Sequence, residues 1–272
     1  MLRKLIRYEF LATGRIFLPL YGAFVLISLI MRGATQIQNI WRIEENSFMN
    51  LLMVIPVILY VGLFVATVVG TILIAISRFY KNLLSEEGYL TFTLPAKVWQ
   101  LVVSKLIPAM VWSIASGLVC IVSVLILSYD PNTFNIMIEI WDQMVWGFSQ
   151  GGVVINMGLM IQLLVVMLTS LLSLYTSIYA AIAATNFVNR HRVLMGIGAY
   201  IIIMIVNQMI NTVLTSIQMV MYQMSYTEVT MASQLNGFVH GILWQSMAVS
   251  LFMSAVMFVV TNVILKKKLN LA

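Results

Sequence analysis

Charge is what this chain has least of. Only 9% of its 272 residues are Asp, Glu, Lys or Arg, against roughly 25% in an ordinary soluble domain. With 61% hydrophobic residues and a mean hydropathy of +0.99, it cannot cover itself with a solvated surface. That excludes a soluble globular protein and leaves a polytopic membrane protein. Cysteine is nearly absent too. Cys120 stands alone, so neither an intrachain disulfide nor a cysteine metal cluster can form. The apolar runs hold no Asp, Glu or Arg at mid-membrane, where a charge costs roughly 2.5–3.5 kcal/mol on insertion scales, so a proton relay or an ion path is not expected. Enzyme signatures are missing as well. There is no H-E-x-x-H and no G-x-S-x-G, and the pairs Glu44-Glu45 and Glu86-Glu87 fall in loops without an arginine a turn later. No G-x-x-x-x-G-K-[ST] is present, so no cofactor is expected on this chain. Any ATP that powers it must be bound by another subunit.

What is present is six apolar runs, each near the roughly 20 residues a spanning helix needs. They lie at about 16–31, 51–77, 98–128, 157–186, 193–217 and 242–265. The fold class is therefore an all-α integral membrane protein, expected as a single transmembrane domain over residues 1–272. The start is basic and then apolar, but no small-x-small cleavage site follows, so the first run is expected to be retained as a span. Basic residues orient the chain. Arg3, Lys4, Arg7 and Arg15, then Arg78, Lys81, Lys97 and Lys105, then Arg190 and Arg192, then Lys266, Lys267 and Lys268 fall on one side of the alternation. Only Arg32 and Arg42 fall on the other, thirteen against two. Positive-inside places both termini in the cytoplasm. The net charge of +6 thus faces an anionic inner leaflet, and the bilayer rather than nucleic acid is the expected partner.

Two shorter stretches are amphipathic. In residues 1–11, Leu2, Leu5, Ile6 and Phe10 share one helical face and Arg3, Lys4 and Arg7 the other, as in an interfacial helix on the inner leaflet. Glu9 is the misfit, because it falls within the apolar arc. Either it meets a basic group or the helix is frayed or shifted. On the outer side, Phe134, Ile138, Trp141, Val145 and Phe148 follow helical spacing opposite Asn135, Glu139 and Asp142. This segment reads as a helix floating in the headgroups or as a lid over an outer mouth. His191 and His240 read as interfacial histidines. The twenty methionines, dense from Met195 to Met257, suit lipid-facing packing or a repacking apolar surface.

The densest polar island is "RFYKNLLSEEGYLTFTLPAK", residues 78–97. Residues 78–84 continue the helical run of the second span, Gly88 suits a helix stop and Pro95 the first turn of the next helix. The expected elbow displays Phe79, Tyr80, Leu84, Tyr89 and Phe92 with Lys81, Glu86 and Glu87, a composition suited to a protein contact. The plainer reading is a loop whose aromatics rest at the lipid interface. This stretch resembles the cytoplasmic loop of type-two ABC exporter permeases, in wording common among Gram-positive Firmicutes. The resemblance rests on Glu86-x-Gly88, then Pro95, then Lys105 at the head of the third span. The acid–proline spacing here is shorter than the family's.

The resemblance implies a permease subunit in a bacterial plasma membrane, and a second permease chain enclosing the pathway with it. Cytoplasmic ABC ATPase subunits, carrying ATP and Mg, would dock on the elbow. The implied interface is Phe79, Tyr80, Lys81, Leu84, Glu86, Glu87, Gly88, Tyr89 and Pro95. It also implies that the N-terminal helix packs beside the elbow. Low charge with many Met and aromatic residues favours an amphipathic or hydrophobic cargo, such as a peptide, a lipid or a drug. The competing function is a non-transporting membrane scaffold or sensor that docks a cytoplasmic partner through residues 78–97.

Overall fold

The computed structural model describes residues 1–41, 47–84, 96–128, 131–150, 155–188, 191–224 and 231–267. Those residues form α-helices and no strand. In chain order the helices are α1 (Leu2–Trp41), α2 (Ser47–Leu84), α3 (Val98–Leu127), α4 (Pro131–Gln150), α5 (Met157–Ala184), α6 (Arg192–Met224) and α7 (Met231–Lys267), with a 3-10 turn at Thr185–Phe187. Six of them carry stretches of 30–33 residues with mean hydropathy from 1.8 to 2.6, enough to cross a membrane. The chain is a helical, multi-pass membrane protein. α1, α2, α6 and α7 overrun the expected spans, while α3 and α5 match theirs to within two residues. At 1.5 Å per residue, a helix the length of α1 is roughly 60 Å long, twice the roughly 30 Å hydrocarbon core.

The amphipathic N-terminal segment is not a separate element. Residues 2–41 form one unbroken helix that passes through Pro19. Its Leu2, Leu5, Ile6 and Phe10 are half-buried while Arg3, Lys4 and Arg7 are exposed. Pro19, Pro56 and Pro108 all lie inside helices, where neighbouring hydroxyls and helices can satisfy the freed carbonyls.

Two compact units divide the chain. The first comprises residues 1–78 and 100–137, the second residues 79–99 and 138–272. In the first unit, polar contacts set the helix directions. Tyr21 of α1 donates to the Trp112 carbonyl at 3.1 Å and shares a hydrogen bond with Ser116 of α3 at 2.7 Å. Farther along both helices, Arg32 donates to the Ile126 carbonyl at 3.4 Å, a cation set against the carbonyl end of α3. Residue numbers rise together, so α1 and α3 run parallel. On α2 the order reverses. Tyr60 pairs with Ser123 at 2.9 Å and Thr71 with Ser116 at 2.6 Å, so α2 is antiparallel to both. Ser116 is where the three helices meet.

The second unit is built on α5, α6 and α7, and side-chain amides rather than charges join them. Gln162 of α5 donates to the His240 carbonyl at 3.0 Å, and its Oε1 bonds the His240 ring. Gln218 of α6 donates to the Gly241 carbonyl at 3.3 Å, and Gln245 of α7 donates to Thr215 at 3.2 Å. Positions 218 and 215 of α6 meet 241 and 245 of α7 in reverse order, so α6 and α7 are antiparallel. His240 is thus a helix clamp, a more specific role than an interfacial histidine. Near its start, α6 approaches the 3-10 turn so closely that a Cβ on Gly196 would meet the Thr185 methyl at 3.0 Å.

Each interhelical hydroxyl bond of this kind is worth up to about 1.7 kcal/mol. Ser116→Ala, which removes the bond shared by Tyr21 and Thr71, is expected to cost about 1 kcal/mol. Ser77→Ala, on an exposed hydroxyl bonded only within its own helix, is expected to stay within about 0.5 kcal/mol of wild type. Equilibrium unfolding of the purified chain in mixed micelles measures both.

Candidate functional site

The elbow leaves the membrane at the end of α2, where Phe79, Tyr80, Lys81 and Leu84 are described. Glu86, Glu87, Gly88, Tyr89, Phe92 and Pro95 lie outside the described residues. Among the four that are described, the expectation of a displayed surface needs correction. Phe79 has no exposed surface, and Leu84 is 2% exposed. Phe79 stacks on Tyr179 of α5, with ring centroids 4.0 Å apart and planes within 10° of parallel. The physical reason is helical period. The run continues unbroken to Leu84, which puts Phe79 and Leu83 four residues apart on one inward face. Tyr80, half-buried, and Lys81, exposed, are left toward the outside. Phe79 and Leu84 therefore hold the base of the elbow, and of these four described residues Tyr80 and Lys81 are the ones left with accessible surface.

In the first unit, the head of α3 presents a run of buried residues that includes Leu101, Val102, Ser104, Lys105 and Leu106. Lys105 is 7% exposed. Its Nζ forms an ion pair with Oε1 of Glu9 on α1, and the two side chains are 6% and 13% exposed. This answers the misfit in the sequence. Glu9 sits within the apolar arc of its helix because a cation is waiting there, and the helix is neither frayed nor shifted. A ring of further contacts closes around the pair. Thr13 donates to the Glu9 carbonyl at 2.7 Å and accepts from the Trp112 indole at 2.8 Å. The Trp112 ring stacks on Phe17 at 4.8 Å. Arg78, the last residue of α2 in this unit, donates to the Ala12 carbonyl at 3.1 Å. The N-terminal third of α1 is thereby fastened to both of its neighbours.

An ion pair in such surroundings is a constraint more than a source of stability. Desolvating two charges offsets most of their attraction, whereas removing one partner leaves the other buried and uncompensated, at about 3–5 kcal/mol. The pair therefore acts on register. It selects the one placement of α1 against α3 in which both charges are matched.

On α4, Phe134, Ile138, Trp141 and Phe148 of the apolar stripe are 46–51% exposed and Val145 is half-buried. His191 is exposed and immediately precedes α6, with φ of 62°. Among the described residues, no group of three His, Cys, Asp or Glu could hold a metal ion. A set of serines on α5 and α7 went unremarked in the sequence. Ser170, Ser173 and Ser177 share a face at i, i+3 and i+7, and Ser246 and Ser250 share one at i and i+4. That spacing was the available signal.

The chain matches no protein-family model, no curated protein and no solved structure.

Burial gives the elbow a direct test. Phe79→Ala is expected to destabilise the chain by about 3–5 kcal/mol, the range for emptying a buried aromatic site. Lys81→Ala is expected to change stability by no more than about 0.5 kcal/mol. Denaturant unfolding of the two variants in the same detergent compares them.

Proposed function

We propose that this chain is the membrane subunit of an ATP-binding-cassette exporter. It moves an amphipathic or hydrophobic substrate with ATP hydrolysed, with Mg, on separate cytoplasmic subunits, and it pairs with a second permease chain. The observation that carries the reading is the Glu9–Lys105 ion pair. The sequence resemblance placed Lys105 at the head of the span after the coupling loop and an N-terminal helix beside that loop. The ion pair ties that helix to that lysine. Six helices of spanning length and hydropathy support the same reading. Both termini face the cytoplasm of a bacterial plasma membrane on the positive-inside count of thirteen to two. The first turns of α1 then rest their Arg3, Lys4 and Arg7 face toward the anionic leaflet.

In this reading the coupling surface is narrower than the whole island. Tyr80 and Lys81 from the end of α2, with Glu86, Glu87 and Tyr89 beyond it, meet the ATPase, while Phe79 and Leu84 transmit its push into the bundle. Buried stacking makes that base stiff, so displacement of the elbow moves α2 and α5 rather than bending a loop.

Two outcomes are expected. Truncating an aromatic anchor commonly costs about 2 kcal/mol, roughly thirtyfold in affinity. Tyr80→Ala and Tyr89→Ala should each weaken co-purification of the partner ATPase by about that factor without unfolding the chain. Loss of binding on alanine substitution at 187–192, with none from 80–89, would assign coupling to the wrong loop. If ATPase binding responds but no substrate efflux depends on the chain, the scaffold reading takes its place. For orientation, single cysteines are introduced into a Cys120→Ser background. One at Lys97 should react with an impermeant maleimide only after permeabilisation, and those at 40–46 in intact cells. The opposite pattern overturns the topology.

A further inference from the structure

In the second unit a cleft of about 270 Å³ opens between α5, α6 and α7. Ser170, Ser173 and Ser177 line it from α5, Tyr200, Asn207 and Asn211 from α6, and Ser246 and Ser250 from α7. No charged residue takes part. Ser173 and Ser177 are 5% and 6% exposed, so what remains of their surface faces the cleft they line.

The hydroxyls in this cleft behave unlike their neighbours. On the same helices, Thr169 and Thr176 donate to carbonyls of the preceding turn at 3.0 and 2.9 Å, and Ser254 does so at 2.8 Å. Such back-bonding is how a hydroxyl satisfies itself in a membrane helix. The five cleft serines form no side-chain hydrogen bond with any described residue. A buried polar group without a partner costs roughly 1–3 kcal/mol by protein mutational measures; Ser173 and Ser177 are buried on this space, and half-buried Ser246 and Ser250 and exposed Ser170 line its more open part. We infer that the cleft binds the uncharged, hydroxyl-bearing headgroup of an amphiphile.

Three features define that ligand. Serine hydroxyls both donate and accept, and Asn211 Nδ2 already donates to Asn207 Oδ1 at 3.1 Å. The cleft therefore offers mixed donors and acceptors, the complement of a polyol or sugar rather than of a pure anion or cation. A charged headgroup would find no countercharge in a low-dielectric site. The volume falls just below the roughly 300–1,000 Å³ of sites that enclose a drug-sized molecule, which fits a headgroup and leaves a tail outside. The surface for that tail adjoins the cleft. Met204 lines it and is 54% exposed, and Ile201, Ile205 and Met209 on the same helix are 49–62% exposed. No residue of α6 is buried, so the helix can carry acyl chains along its length. The inference does not depend on ATP-driven transport and holds equally for a scaffold.

The purified full chain is placed in phosphatidylcholine nanodiscs doped with either monoglucosyl diacylglycerol or phosphatidylglycerol, and native mass spectrometry reads the lipid retained. Wild type should retain the glucosyl lipid in preference. Ser173→Ala/Ser177→Ala should lower its retention about tenfold, the effect of losing two neutral hydrogen bonds, and Ser254→Ala should not. If the first pair fails to fold, Ser246→Ala/Ser250→Ala tests the facing wall with the same expectation. Equal or better retention of phosphatidylglycerol, or unchanged retention in a folded double variant, overturns the inference. So does displacement of the lipid by free glucose, which would make the cleft a site for soluble sugar. If a folded double variant instead changes only the oligomeric state, the cleft seats a second copy of the chain and the inference falls.

Discussion

The first unit depends on a single electrostatic constraint. Glu9 and Lys105 are two opposite charges in a chain that has few, and they are buried against one another. Low dielectric makes either one alone expensive and the pair nearly neutral in cost. Only one rotation and one translation of α1 bring them together. The remaining contacts then follow in register along α1: Thr13 with Trp112, Tyr21 with Ser116, and Arg32 with the Ile126 carbonyl. A slip of one residue would turn α1 by about 100° and break every one of these contacts together. The aromatic cluster of Phe10, Phe17, Tyr21 and Trp112 fills the space that this register defines.

In the second unit, among the described residues of α5, α6 and α7, no ion pair joins the helices. Its three long helices are joined by glutamines and a histidine, polar side chains that bond to carbonyls, hydroxyls and one another with modest energies. Such clamps tolerate small shifts that a buried ion pair would not. The structure has a corresponding asymmetry. The clamps sit at one end of α6, around Gln218, Gln245 and Gln162, while the helices part farther along to leave the serine cleft. No residue of α6 is fully buried, and the face away from half-buried Asn207, Asn211 and Gln218 is open to lipid or to a partner; its exposed methionines, Met204, Met209 and Met219 among them, can adapt to either.

Much of this architecture was legible in the sequence, for a reason that also marks its limit. Hydropathy reports where a helix is greasy, so six spans could be read from composition. Hydropathy does not report where a helix ends. Residues 78–84 and 2–15 carry charges that closed the apolar windows, yet α2 and α1 continue through them. A helical run to Leu84 was itself legible; which of its faces meets a neighbour was not, and packing against α5 turns Phe79 inward. Glu9 was legible as a misfit because its neighbours set an amphipathic arc. Its partner was not, because Lys105 lies 96 residues away and only tertiary packing brings the two helices side by side. The serines of the cleft were legible in spacing alone. Whether a hydroxyl bonds its own helix or faces a cleft depends on neighbouring helices that a sequence does not position.

The account turns on whether Glu9 and Lys105 fix α1 to α3, and a charge-swap cycle measures this. Glu9→Lys and Lys105→Glu are made singly and together, and the free energy of unfolding is determined for each in the same micelles. Each single variant places two like charges in a buried site and should lose at least about 3–5 kcal/mol. The double variant restores opposite charges in the same place and should recover most of that loss, a coupling of several kcal/mol. Single losses that simply add in the double variant, or single variants as stable as wild type, would contradict the pairing and the register built on it.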